Sequence, residues 1–233
     1  MWKFSPPDKK RQMEWPSPWG VGFPGWHIEC SAMSMKYLGE TFDIHCGGID
    51  HIPVHHPNEI AQSEAATSKP LARWWLHGEF LVVDAKRMGK SENNFLTLNW
   101  LKQEGLTPLA YRYFCLGTHY RKPLNFSLDA LAGAAKALQN LQDKVATMGE
   151  ASIGCAEFEQ KFIEAMNDDL NAPQALAVLW ELMASNYPDS AKKQSLLKFD
   201  AILGLGIREV KPLNIPPAVT ELITKREEAR QAK

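Results

Sequence analysis

The sequence predicts an α/β domain followed by an all-α one, and three observations carry that prediction. Short apolar runs at residues 42–45 and 79–83 bracket a stretch of helical spacing at 58–67. Strand alternating with helix is the pattern of a nucleotide-binding layer. Beyond about residue 106 every apolar stretch repeats at helical spacing instead. With 45% hydrophobic residues, 233 positions suffice for two cores, and the expected division is 1–106 and 107–233.

Taken in order, residues 1–25 are rich in Pro and Gly and lack helical periodicity. They read as an irregular arm held down by Trp15 and Trp19. Residues 42–45 form a short buried strand that runs into Gly47-Gly48, a tight turn. Pro57 suits the first turn of the helix at 58–67. Residues 79–83 are a strand, followed by a polar loop through Asn94. In the second half, helices are expected at 108–116, 128–148, 156–170, 173–183 and 191–203. Asn171 with Pro173 makes a helix start, and Gly204 and Gly206 make a helix end. Residues 225–233 read as a further helix.

Composition excludes several classes. No run of about 18 apolar residues exists, so no membrane span is expected, and the N-terminus lacks a signal core. The net charge is -1, which argues against a small basic DNA-binding module but not against local contact with RNA phosphates. Cys30, Cys46, Cys115 and Cys155 are too widely and irregularly spaced for a disulfide framework, so a soluble, reducing, cytoplasmic setting is expected. Five of the seven histidines lie between His27 and His56. That crowding is the first sign of a site.

His55 and Glu59 stand four apart and so share one helix face, while Cys30 lies on a separate segment. A thiolate, an imidazole and a carboxylate together suit zinc, although this spacing alone also suits ordinary surface residues near a helix start. Gly47-Gly48-Ile49-Asp50 follows a strand, where bare backbone can approach a ligand and Asp50 can accept from a ribose hydroxyl. Arg87-Met88-Gly89-Lys90-Ser91 is a polar loop rich in donors, either aimed at phosphates or simply a solvated basic turn.

Longer strings are more specific. Gly25-Trp26-His27-Ile28-Glu29-Cys30-Ser31-Ala32-Met33, Phe42-Asp43-Ile44-His45-Cys46-Gly47-Gly48-Ile49-Asp50 and His55-His56-Pro57-Asn58-Glu59-Ile60-Ala61-Gln62-Ser63-Glu64 follow one another with short gaps. Trp75-Leu76-His77-Gly78, the Arg87–Ser91 loop and Asn167-Asp168-Asp169-Leu170-Asn171-Ala172-Pro173-Gln174-Ala175-Leu176 come later. In order and spacing the whole set closely resembles the cysteinyl-tRNA synthetase family. The resemblance implies the second half of a class I Rossmann-like nucleotide-binding domain, followed by a C-terminal helical bundle. It implies zinc ligands at Cys30, His55 and Glu59, with the metal binding the thiolate of substrate cysteine. Trp26, His27 and His45 would shape that pocket. Gly47, Gly48 and Asp50 would meet the adenosine, and Lys90 with Arg87 the phosphates of ATP with Mg2+. Partners would be tRNA(Cys), cysteine and ATP, with neither membrane nor DNA. Arg112, Arg121 and Lys122 are candidates for contact with tRNA phosphates.

The chain departs from the family pattern in places. Arg87 replaces a lysine, Gly89 a serine, and Glu92-Asn93 a Leu-Gly pair, which predicts a looser phosphate loop. Cys46 stands where the family more often has a small non-sulfur residue and is expected to be a buried structural thiol. No His-x-Gly-His string is present, and no cysteine precedes Cys30. The chain is therefore expected to begin inside the catalytic domain, to stop before the family's C-terminal tail, and to work with a separate N-terminal half. Two other readings stay open: a ligase joining cysteine to an amino sugar, and a non-catalytic zinc- or tRNA-binding remnant.

Overall fold

The computed structural model describes residues 2–83, 86–88 and 96–213, with positions 219, 222, 225, 226 and 228–230 beyond them. It divides into two compact units, Met1–Leu81 with Tyr120–Leu124, and Val82–His119 with Asn125–Lys233. An α/β layer is followed by helices, as the sequence predicts. Among the described residues no helix is long and apolar enough to cross a membrane.

The first unit opens on an antiparallel pair, β1 (Trp2–Phe4) and β2 (Gly22–Pro24), with Trp2 opposite Pro24 and Phe4 opposite Gly22. The arm between them is more regular than its composition suggests. Trp15 and Gly22 exchange both backbone hydrogen bonds, at 2.8 and 3.0 Å, and Ser17 and Gly20 close a tight turn on each other at 3.1 and 3.0 Å. These backbone bonds hold the arm. The indoles of Trp15 and Trp19 remain 45% and 70% exposed and do not anchor it.

Next come α1 (Trp26–Leu38), β3 (Phe42–Gly48), a single 3-10 turn at Ile49–His51, α2 (His55–Thr67) and β4 (Ala72–Gly78). β3 and β4 pair in parallel from Phe42–Ala72 to Gly48–Gly78, with α2 as the crossover that parallel strands require. Gly47 and Gly48 are extended partners of His77 and Gly78 rather than a tight turn, because the ladder to β4 continues to their level. β4 was not visible as a strand from the sequence, since Trp74, Trp75 and Leu76 mask its alternation. α2 begins three residues before position 58. Pro57 is tolerated there because the first four N–H groups of a helix have no intrahelical acceptor.

The two faces of this small sheet differ. His45 on β3 and Trp75 and His77 on β4 turn toward α2, where their rings meet that of His56. On the other face Ile44 is 57% and Trp74 69% exposed. Cys46 is exposed as well, which corrects the expectation of a buried thiol. Strand alternation places it opposite its neighbour His45. Phe42, Leu71 and Ala72 form a small core against Trp75.

The second unit holds most of a three-stranded sheet of order β6-β5-β7, from β5 (Leu81–Val83), β6 (Lys86–Arg87) and β7 (Leu124–Phe126). Its helices are α3 (Leu98–Gln103), α4 (Pro108–Leu116), α5 (Leu128–Thr147), α6 (Ala156–Asn167), α7 (Ala172–Ala184) and α8 (Asp189–Leu203). Capping explains where four of them start. The side chains of Thr97, Thr107, Ser127 and Asn171 accept from the N–H groups of Trp100, Ala110, Ala130 and Gln174. α6 ends earlier than position 170, because Asp169 and Leu170 adopt left-handed conformations (φ 52° and 54°) on the way to the Asn171 cap. Leu141, Leu179, Leu182 and Leu196 are fully buried around a stacked pair, Phe162 and Phe199, whose rings lie 4.1 Å apart.

Candidate functional site

The site forms where α1 and α2 lie side by side over one face of the β3–β4 pair. On α1, Trp26, His27, Cys30 and Ser31 follow helical spacing, so they share a face. On α2, His55, His56, Glu59 and Ser63 do the same and are buried. Ser31 Oγ donates to Gln62 Oε1 at 3.1 Å and ties the two helices together.

Cys30, His55 and Glu59 offer donor atoms that lie within 4.8 Å of one another. Glu59 is 1% exposed, and its oxygens are held separately: Oε1 lies 3.2 Å from His55 Nε2, and Oε2 lies 2.7 Å from His45 Nε2. His27 Nδ1 and His55 Nδ1 are 2.8 Å apart and share a hydrogen. That contact leaves the Nε2 edge of His55 toward the Glu59 carboxylate. The Cys30 thiol is pushed up by burial first, then by the charge of Glu59 and a hydrogen bond to it. A buried carboxylate beside a thiol and an imidazole is the donor chemistry that zinc takes, and a bound cation would reverse the pressure on the thiol. The three residues fit that metal.

Among the described residues a second donor group, His45, His56 and Glu59, shares the carboxylate. Its members already have partners, since His45 holds Glu59 and His56 Nδ1 meets His77 Nε2 at 2.8 Å. It therefore reads as support beneath the first group. The imidazole of His56 is pushed down to about 4, by burial first and then by neighbouring His45, and His77 is lowered by burial and the same neighbour. Burial thus disfavours the charged form of both rings. Their part in the cluster was missed in the sequence. The available signal was the two-residue alternation of Trp75 and His77, which places both on the His45 face.

Gly47 has a specific steric reason. A Cβ there would lie 2.6 Å from His56 Cε1, so any side chain would displace the imidazole. A Cβ on Gly48 would lie 2.4 Å from Asp50 Oδ1, which folds back over the strand end while Asp50 pairs with His51 at 3.2 Å. These three residues stand at the carboxyl end of β3, the end at which parallel sheets receive ligands. Trp26 is 63% exposed, and its ring tilts against that of His55 at 4.9 Å, forming an open apolar wall.

Arg87 pairs through its backbone with Val82 on β5, and Lys90 lies outside the described residues. The Nε of Arg112 donates to the Leu203 carbonyl at the end of α8, a capping contact. Arg121 lies over the ring of Tyr120, and Lys122 is exposed.

A family model described as the tRNA synthetases class I (C) catalytic domain matches residues 1–137, and one described as the DALR domain matches 161–207. The chain is 51% identical, over its full length, to half of a "Cysteine--tRNA ligase 1" from Burkholderia lata. It is 44% identical to 51% of the "Cysteine--tRNA ligase" of Opitutus terrae, and 43% identical to 54% of that of Caldicellulosiruptor saccharolyticus. It thus spans about half the length of the curated relatives it matches. Among solved structures, an Agrobacterium radiobacter LeuRS in a ternary complex with tRNA and LeuAMS superposes on 85% of this chain and 33% of that one. Its TM-score is 0.59 at 14% identity, a likeness of fold.

Proposed function

Because the chain belongs to the family of class I (C) tRNA synthetase catalytic domains, we propose that it carries the cysteine-sensing half of a cysteine–tRNA ligase. In that reaction the carboxylate of cysteine attacks the α-phosphorus of ATP, the α–β anhydride breaks, and pyrophosphate leaves. A hydroxyl of the terminal ribose of tRNA(Cys) then attacks the carbonyl of the adenylate, gives up its proton, and AMP leaves.

The observation that carries this reading is the meeting of Cys30, His55 and Glu59 donors within 4.8 Å in a buried corner. These residues would hold zinc. When bound, the metal supplies a Lewis acid that takes the substrate's thiolate in preference to a hydroxyl. His27 orients His55, and His45 holds Glu59, so two of the three ligands are fixed by a neighbour. Trp26 closes the apolar side. Gly47, Gly48 and Asp50 would receive the adenosine, and Arg87 and Lys90 the phosphates of ATP with Mg2+. The phosphate-binding histidines and a further zinc ligand would come from sequence outside residues 1–233, in a cytoplasmic setting. The helices of residues 107–233 would support the tRNA stem.

The test is cysteine-dependent exchange of pyrophosphate into ATP by the purified chain, alone and mixed with an N-terminal half expressed separately. Exchange is expected only in the mixture, with Lys90→Ala lowering it by about two to three orders of magnitude. No exchange in the mixture, with both pieces folded and zinc present, would overturn the ligase reading.

A further inference from the structure

We propose that Ser31 and Gln62 form a latch that positions Cys30 against His55 and Glu59, so that the donor set stands ready before a metal arrives. Neither residue offers a ligand, and their role rests on the zinc reading above. They are positioning residues, acting through the spacing of two helices.

A latch is needed because so little else holds α1. Of its thirteen residues only Ser31 is buried, at 2% exposure. Ile28, Met33 and Leu38 are 38%, 54% and 59% exposed, so no apolar stripe presses α1 onto α2. The contacts between the two helices are polar and advance together: His27 meets His55, Cys30 meets Glu59, and Ser31 meets Gln62. Partners that rise together on both helices mean that α1 and α2 run parallel, with their N-termini at the same end. Like ends of two helix dipoles repel, so the alignment gains nothing from the helices themselves.

The contacts His27–His55 and Cys30–Glu59 run through the donors themselves, whereas Ser31–Gln62 touches none of them. Ser31 Oγ has two acceptors, Gln62 Oε1 at 3.1 Å and the His27 carbonyl at 3.2 Å, and one hydrogen to share between them. Gln62 is thereby linked to the backbone of the residue whose ring holds His55. Ser31 directly follows Cys30. Gln62 lies three positions past Glu59, about 4.5 Å along α2. So close to the donors, the helix separation that the latch sets is the separation they inherit. Order already present in the empty protein is not subtracted from metal affinity.

Zinc affinity of the whole chain, measured by competition with a chromophoric chelator, tests the latch. Gln62→Leu keeps the size of the side chain but removes the acceptor, and should weaken zinc about 10- to 100-fold. Gln62→Glu keeps an acceptor oxygen and should restore most of that affinity. Ser31→Ala should match Gln62→Leu, and combining the two should weaken zinc less than about twofold further. Saturated with Co2+, Ser31→Ala and Gln62→Leu should both keep the thiolate-to-cobalt charge-transfer band, which Cys30→Ser should lose. Circular dichroism of the metal-stripped proteins would confirm folding, and where Gln62→Leu does not fold, Ser31→Ala carries the test. Unchanged zinc affinity in either folded variant would overturn the latch, as would no recovery in Gln62→Glu or additive losses in the double variant. Loss of the cobalt band would overturn it too, since the ligand set rather than its spacing would then have changed. If the wild-type chain binds no zinc, the ligand reading fails and the latch with it. If the wild type binds zinc and the variants bind it equally, the latch alone fails.

Discussion

At Glu59 each carboxylate oxygen meets a different imidazole, and the thiol of Cys30 lies within reach of the same group. Losing a ligand and losing its support should therefore have different sizes. Cys30→Ser should empty the site of zinc as read by metal analysis after dialysis, whereas His45→Ala should weaken zinc by about 10- to 100-fold. Equal zinc in wild type and Cys30→Ser would remove Cys30 from the site. In the metal-free protein, His56 gives a separate signature. Its imidazole is held at about 4 against an ordinary 6.5, so the unfolded chain binds the proton more readily than the folded one. The stabilisation is complete above about pH 6.5, is lost as pH falls toward 4, and amounts to about 3 kcal/mol. Urea midpoints between pH 7 and 4, compared with His56→Gln, would show it as a steeper fall in the wild type. Of these residues, His55 and Glu59 were legible because a helix makes their spacing meaningful on its own. The contact of His56 with His77 was not, since it exists only once β4 has been laid parallel to β3.

Elements of the helical unit were the most legible, because each carries its own start signal and a long periodic face. Asn171 and Ser127 cap as their residue types predict. Where local rules gave way, another contact outweighed them: α6 stops at Asn167 because the chain turns through Asp169 and Leu170 to supply the next cap. The exit from α8 depends on one carboxylate. Asp200 accepts from the N–H groups of Leu205, Ile207 and Arg208 at 2.6, 2.9 and 3.3 Å, below the left-handed Gly204. Asp200→Ala would strand these donors and should destabilise the unit by about 2–4 kcal/mol, read as a lower urea midpoint with unchanged slope. A change below about 0.5 kcal/mol would mean that water replaces the carboxylate. Strands were harder to read than helices. The glycines at the end of β3 looked like a turn, because short sequences do not show which neighbour will complete a ladder.

For the whole molecule, the open face of the β3–β4 pair is the feature that sequence alone could not locate. Parallel sheets are covered on both faces in nearly all known folds, yet Ile44 and Trp74 are largely exposed here. The isolated chain is expected to self-associate at micromolar concentration, with sedimentation giving masses above the 26.2 kDa of one chain. A sharp monomer at all concentrations would show that this face is content in water. The donor cluster itself needs none of that covering, for every residue in it lies between Trp26 and His77. Of this sequence, 156 residues (233 less 77) follow His77. At about 5–20 residues per second a ribosome takes roughly 8–30 seconds to add them. A nascent chain halted soon after His77 has cleared the exit tunnel should thus already retain radioactive zinc, so that metal loading becomes an event of synthesis rather than of maturation.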